Sequence, residues 1–267
     1  MTMYTPLLFL FGLAAGTMGT MMGVGMGFVH VPFLILLFNF SPQAAIGTSI
    51  AIIFINTLGG SIVYYHQGRM DFDLAAKLSL AVLPGAIIGP FIVEQYSSSM
   101  FSTLFAGALL LSAMNLMFGR RPLTVLPKRE YSRHKTVKDV FGNTVSYSTN
   151  MELGVFGTVL IGFLSNLLGV GGGIVHVPFL ILLLKIPTHI AIGTSHLILC
   201  VSSLVGTIVF ASLGHVDINF AIPVGIGAIL GASLGADLAR KTQAQVLRRM
   251  LAVLLIFVGV KMALGSS

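Results

Sequence analysis

The chain has 267 residues, of which 55% are hydrophobic and 9% charged, with 31 glycines, a mean hydropathy of +0.96 and a formal net charge of +7. A water-soluble domain carries roughly a quarter of its residues as charges to cover its surface, so 15 Lys and Arg with 8 Asp and Glu exclude a soluble globule and point to an integral membrane protein. The glycines have no triplet period and Cys200 has no second cysteine to pair with, which excludes collagen-like and disulfide-stapled chains.

Along the chain, residues 1–5 lack a positively charged n-region and the apolar run that follows passes any small-residue cleavage pattern, so it reads as a retained membrane segment. The first apolar stretch, 6–38, is longer than the about 20 residues that one span needs. It is interrupted at Gly23, Gly25 and Gly27 and again at His30-Val31-Pro32. Helix propensity is poorest at Gly and Pro, so the spacing predicts two shorter helices joined at the glycines. Ordinary spans follow at 44–65, 74–93 and 100–118. A basic connecting segment, 120–151, then holds Arg120, Arg121, Lys128, Arg129, Arg133, Lys135 and Lys138. The second half repeats the order: a broken stretch at 153–184, then spans at 190–213, 220–238 and 246–264, with Arg240, Lys241, Arg248 and Arg249 between the last two.

The repeat is an internal duplication. Residues 23–49 align without a gap on residues 169–195 at an offset of 146, with 18 of 27 positions identical, and the same offset carries Gly68, Asp71, Gly85 and Gly89 onto Gly214, Asp217, Gly231 and Gly235. Matched halves of this kind are common among transporters. Short loops rich in Lys and Arg stay in the cytoplasm. With 120–151 and the 240–249 loop both inside, each half makes an odd number of crossings, so the second half is inverted relative to the first and both termini are outside. Arg69 and Lys77 flank a first-half loop that is then inside, whereas its counterpart, 214–219, has no Lys or Arg. A parallel duplication with four full spans per half is the alternative. The expectation is therefore an all-α polytopic protein of the inner (plasma) membrane: a first repeat at 1–119, a cytoplasmic connector at 120–151, and a second repeat at 152–267. Each repeat has a glycine-broken hairpin and three spans. The lipid bilayer is its partner, and with no folded basic face or aromatic platform nucleic acid is not.

The doubled glycine cluster followed by proline (Gly23-Val-Gly-Met-Gly with Pro32, Gly169-Val-Gly-Gly-Gly with Pro178), the Ala-Ile-Gly-Thr-Ser segment of each half and the basic central segment resemble the sulfite exporter family, TauE/SafE. The likeness covers nearly the whole chain outside the connector. It implies a membrane permease for sulfite, sulfonates or related small inorganic or organosulfur anions, with no cofactor. Met26 stands where that family more often has glycine, and His30 and His176 where it more often has an apolar residue.

An anion must exchange its hydration for polar groups, and no Lys or Arg lies near the middle of any predicted span. Backbone N–H groups at broken helix ends remain, where the dipole acts as about half a positive charge. Gly23, Gly25, Gly27, Gly169, Gly171, Gly172 and Gly173 would permit that approach, while Gly85/Gly89 and Gly231/Gly235 read as packing residues. His30 and His176 lie just beyond the breaks and could donate to an anion or carry a coupling proton, sodium being the other coupling ion. His196 lacks a symmetric partner, since its counterpart is Ile50. Thr48, Ser49, Thr194 and Ser195 could cap backbone or face a ligand. Asp71 and Asp217 read as capping residues, Glu94, Asp237, His66, His189 and His215 as interfacial, and Asn56 and Asn166 as groups bonding across helices. Two other readings compete. Met18, Met21, Met22 and Met26 with the histidines could conduct a soft metal cation, but the methionines have no second-half equivalents and Met is ordinary core filler. A membrane enzyme would need a motif such as H-E-x-x-H or G-x-S-x-G, which the chain lacks, and Cys200 has no basic neighbour to activate it.

Overall fold

The structure, a computed structural model, describes residues 4–95, 133–138, 144–169 and 173–243, with scattered positions between 97 and 114, at 140 and 142, and between 245 and 260. The elements are α1 (Thr5–Met22), α2 (Gly27–Phe38), α3 (Pro42–His66), α4 (Phe72–Val93), β1 (Arg133–Lys138), β2 (Thr144–Thr149), α5 (Met151–Leu168), α6 (Gly173–Leu182), α7 (Thr188–Ser212) and α8 (Ile218–Lys241). Among the described residues, α1, α3, α4, α5, α7 and α8 are long and apolar enough to cross a membrane. The expected spans at 100–118 and 246–264 fall largely outside the described residues.

Both apolar stretches break where the glycines stand. At 1.5 Å per residue α1 is about 27 Å long and α2 about 18 Å, so α2 falls short of a hydrocarbon core about 30 Å thick. It runs back along α1: Tyr4 meets Phe38, and Phe11 stacks on Phe33 with ring centroids 3.8 Å apart. The helices pack through small residues. A Cβ added at Gly12 would lie 2.0 Å from the Val224 carbonyl oxygen, and one at Gly16 would lie 2.4 Å from Ala228 Cα. Gly231 and Gly235 press on the backbone at Leu13 and Thr17, while Gly85 and Gly89 press α4 onto α5 at Gly162, Phe163 and Asn166. Backbone approach of this closeness is how helices associate where lipid is as apolar as leucine.

Helix direction follows from the contact pairs. Gly47 meets His215, Gly206 meets Ile50 and Gly60 meets His196, so α3 and its repeat equivalent α7 run in opposite directions. The main core gathers where they cross, around Met22, Val24, Met26, Phe28, Ile46, Ile50, Tyr64, Ile192 and Phe210.

Part of the connector is ordered in a way the sequence reading did not anticipate. Within 120–151, β1 and β2 form an antiparallel hairpin in register from Arg133↔Thr149 to Lys138↔Thr144. Strand-favouring Thr and Val lie in both strands, with Tyr147 in β2, and Val140 and Gly142 between them are in turn and bend conformation. Val137 and Tyr147 pack with Leu74 and Leu78 of α4. The Val140 N–H donates to the Gln67 carbonyl at 3.1 Å. Arg133 grips Asp71 through both carboxylate oxygens, at 2.6 and 2.8 Å, and reaches Asp73 at 3.0 Å, while the Tyr147 hydroxyl also donates to Asp71. Burial alone would raise the Asp71 carboxyl, but the Arg133 and Tyr147 bonds and the Leu74 N–H hold it below the usual carboxylate range. The hairpin thus covers the α3–α4 loop. At the equivalent α7–α8 loop an open pocket of about 530 Å³ is lined by Phe40, Ala44, His215, Asp217 and Asn219.

A carboxylate whose folded pKa is depressed stabilises the structure fully above its free value, about 3.9, and that contribution is lost as pH falls through the lowered value. The hairpin amides are therefore expected to stay protected from hydrogen exchange, after correction for intrinsic rates, until the pH drops below about 4. Asp71→Asn is expected to strip that protection at neutral pH, and unchanged exchange in that variant would show that the ion pair does not hold the hairpin.

Candidate functional site

The first break is built by three left-handed residues. Gly23 ends α1 with φ 79°, and its N–H and that of Val24 both return to the Gly19 carbonyl, at 2.8 and 3.0 Å. Gly25 (φ 68°) and Met26 (φ 61°) then swing the chain into α2, whose first bonds run from Val29 and His30 to the Met26 carbonyl. The N–H groups of Gly27 and Phe28 stand ahead of those bonds, as at any helix start. A left-handed L-residue costs about 1–2 kcal/mol, and burial of the Met26 side chain, at 2% exposure, offsets this by about 1.5–3 kcal/mol. The aligned second-half residue is Gly172. Gly169 repeats the left-handed cap, with φ 65°, and Gly173 opens α6; Gly171 and Gly172 lie outside the described residues.

The two breaks meet, and each is clasped by the other half. A Cβ on Gly173 would sit 2.3 Å from Val24 Cα and 2.8 Å from the Gly23 oxygen. The Ser195 hydroxyl donates to the Gly23 carbonyl at 3.0 Å and to the Ile192 carbonyl of its own helix at 2.8 Å, and the Ser49 hydroxyl donates to the Gly169 carbonyl at 3.1 Å. One residue earlier, Thr48 accepts from the Asp217 N–H at 2.9 Å and Thr194 from the Asp71 N–H at 3.1 Å. Gly47 and Gly193 admit the carbonyls of His215 and Arg69, which a Cβ would meet at 2.3 and 2.2 Å. Both Ala-Ile-Gly-Thr-Ser segments are thus seams between halves. Their hydroxyls bind the backbone of the opposite half, while Asp71 and Asp217 cap α4 and α8.

His30 and His176 are buried, each against the first helix of its own half. His30 sits edge-on to Phe11 at 5.7 Å with neither ring nitrogen hydrogen-bonded, and His176 Nε2 lies 3.3 Å from the Thr158 hydroxyl. Met21, Met22 and Met26 belong to the apolar core, with Met18 packed against it.

A different set of polar side chains gathers beside the first break. Thr20 donates to Asn56 Oδ1 at 3.1 Å, and the Tyr64 hydroxyl donates to the Thr20 carbonyl at 2.8 Å. His196 lies 5.1 Å from the Tyr64 ring, and its Nε2 and the Thr20 methyl both crowd the Cβ position of Gly60, at 2.8 and 3.2 Å. Asn56 Nδ2 lies 3.2 Å from the Cβ position of Gly19, whose next neighbour is the Gly25 carbonyl carbon at 3.4 Å. Asn56 and His196 are fully buried, yet Asn56 Nδ2 and His196 Nε2 have no hydrogen-bond partner. The second half carries the mirrored pair, since Asn166 aligns with Thr20 and Ser202 with Asn56. There the amide is satisfied, Nδ2 donating to the Gly162 carbonyl at 2.9 Å and to Ser202 at 3.2 Å.

Behind Tyr64 stands a buried cation. Arg69 lies over the Tyr64 ring at 5.5 Å and donates to Gln67, His189 and the Ala236 carbonyl, while Gln67 donates to Asp237. The sequence marked Arg69 only as a loop charge and passed over Thr20 and Tyr64. One signal was present: the columns 20/166 and 56/202 are polar in both halves of an otherwise apolar alignment.

Ser49→Ala and Ser195→Ala are each expected to lower stability by about 1 kcal/mol. Gly173→Val, which drives a branched side chain into the Val24 backbone, is expected to leave no folded fraction. Melting followed by size exclusion in detergent measures both, and a fully folded Gly173→Val protein would mean that the breaks do not meet.

The pattern of the family described as sulfite exporter TauE/SafE matches residues 8–262. The chain is 31% identical over 262 residues to a probable membrane transporter protein, YunE, of Bacillus subtilis (strain 168), covering 95% of each. It is 26% identical to the probable membrane transporter protein MJ0441 of Methanocaldococcus jannaschii, over 97% of this chain and 95% of that one. A probable membrane transporter protein of Xylella fastidiosa (strain Temecula1) is 28% identical over 93% of this chain and 90% of its own. No solved structure matches. These full-length likenesses, with six span-length helices among the described residues, carry the conclusion that the chain belongs to the sulfite exporter TauE/SafE family and is a multi-pass membrane transporter.

Proposed function

We propose that the protein is a secondary permease of the cytoplasmic membrane for small sulfur-containing oxyanions such as sulfite or organosulfonates, working by alternating access with its substrate site at the first helix break. The observation that carries this reading is the pair of buried, unpartnered atoms, Asn56 Nδ2 and His196 Nε2, beside the break. Leaving a buried polar atom unbonded costs about 1–3 kcal/mol, and in the matching pair of the second half the Asn166 amide has both of its hydrogens placed. A site that binds a polar cargo only transiently must hold such unspent capacity when empty. The N–H groups at the start of α2 add a positive dipole end, and Arg69 behind Tyr64 adds a favourable field for an anion. The family description supplies the sulfur oxyanion. Inverted halves are supported by the opposite run of α3 and α7, and a cytoplasmic connector by its basic residues. The seams at Gly47 and Gly193 are the surfaces along which one half would rock against the other.

Asn56→Leu is expected to cut uptake of labelled sulfite into proteoliposomes at least about tenfold while costing no more than about 1 kcal/mol of stability, because removing an unsatisfied donor offsets the loss of the Thr20 bond to Oδ1. Asn166→Leu, which strips a satisfied network, is expected to lower stability by about 1–3 kcal/mol. Normal flux in Asn56→Leu would move the site elsewhere.

A further inference from the structure

His196 is the one residue of the polar cluster whose protonation pattern is set by its surroundings. Its Nδ1 lies 3.1 Å from the Ile192 carbonyl one turn back along α7. A carbonyl can only accept, so Nδ1 carries the hydrogen of the neutral ring and Nε2 presents a lone pair. That lone pair, buried and unpartnered, can accept a hydrogen bond but cannot donate one. Asn56 Nδ2, on the other side of Thr20, is a donor with nothing to donate to. The two groups together suit one ligand with two faces, a donor toward His196 and an acceptor toward Asn56.

We infer that the site takes its anion in a monoprotonated form, the ligand's O–H donating to His196 Nε2 while one of its bare oxygens accepts from Asn56 Nδ2. This rests on the anion reading above and narrows it. A hydrogen oxyanion of the hydrogensulfite type meets both demands, whereas a sulfonate without a proton offers only acceptors and would face the His196 lone pair oxygen against nitrogen. Such a ligand is bound only if the imidazole itself first gains a proton. Site and cargo together carry one proton in either case, held on oxygen or on Nε2. The titratable and charged groups around His196 are Tyr64 of α3, whose hydroxyl is committed to the Thr20 carbonyl, Arg69 behind it, and Cys200 one turn along α7 beside Thr57. Thr20 of α1 and Gly60 of α3 lie beside the ring as well, and neither titrates.

Isothermal titration of the full-length chain in nanodiscs, with inorganic sulfite and with methanesulfonate as probes, tests the inference. Sulfite affinity is expected to fall about tenfold per pH unit above the pH at which sulfite loses its remaining proton, as one-proton linkage requires. Methanesulfonate is expected to bind only as the pH drops toward histidine protonation. His196→Gln, whose amide can turn an N–H toward a bare oxygen, is expected to bind sulfite with less than about a twofold change over the same range and to lose the preference for low pH. Sulfite binding that is independent of pH in the native chain, or a pH slope that survives in a folded His196→Gln protein, overturns the inference and leaves the anion site standing. Failure of both probes to bind at any pH overturns the anion reading and the inference together.

Discussion

Everything else in this molecule hangs on a reciprocal clasp. Each half interrupts its first helix with glycines, and the carbonyl exposed at that interruption is held by a serine of the other half, Ser195 on Gly23 and Ser49 on Gly169. Individually such bonds contribute on the order of 1 kcal/mol. Their importance lies in what they leave the backbone able to do. In a bilayer an open carbonyl must find a partner within the protein, so an unwound stretch at this depth survives only because the opposite half supplies hydroxyls at the right height. Gly47 and Gly193 bring the seams close enough for Thr48 and Thr194 to reach the facing loops. The clasp therefore joins three functions in one Gly-Thr-Ser run of each half: it seals the break, fixes the height of the halves relative to one another, and ties each seam to the loop that begins the next helix.

Within this symmetry the chemistry is unequal. Thr20 with Asn56 and Asn166 with Ser202 occupy equivalent positions, yet only the second pair has all its amide hydrogens placed. His196 faces Gly60, while its counterpart Ile50 faces Gly206. Duplication supplied two scaffolds of the same shape, and the sequences then diverged so that one break is surrounded by apolar packing and satisfied amides and the other by donors and acceptors held in reserve. The motifs shared between the halves build the scaffold, and on the proposed function the differences between them would mark the site.

That division explains what could be read in advance. The helix breaks, the four long helices at 42–66, 72–93, 188–212 and 218–241 and the duplication were legible, because hydropathy length and glycine-proline punctuation are local. The role of the Ala-Ile-Gly-Thr-Ser segments was not. A hydroxyl near a helix start looks the same whether it caps its own first turn or reaches the backbone of a segment some 120 or more residues away, and only packing decides. Arg69 was misplaced for a related reason: a single cation at a span edge signals topology, and nothing local tells that the chain folds it under Tyr64. His30 and His176, the most conspicuous matched pair in the sequence, each turned toward the first helix of their own half, since residues a few positions beyond a hairpin turn pack first against the hairpin's other arm. The β-hairpin at 133–149 went unread because strong basic charge masked the short alternation of Val and Tyr.

Among the described residues the hairpin is found against one half alone. It presses on the α3–α4 loop through Arg133, Tyr147 and Val140, and Asp71, which it grips, also bonds Thr194 across the seam. The α7–α8 loop at the pseudo-equivalent position has an open pocket instead. In a carrier built from two interchangeable halves, the two access states would be mirror images of nearly equal free energy. A brace at one end breaks that degeneracy: each 1.4 kcal/mol it contributes shifts the resting population about tenfold toward the state closed on its side. Since a passive carrier must still come to equilibrium at equal concentrations, the bias cannot set the direction of net flux. In a carrier that alternates in this way it would make half-saturation differ between the two faces of the membrane, giving two matched halves a kinetic polarity.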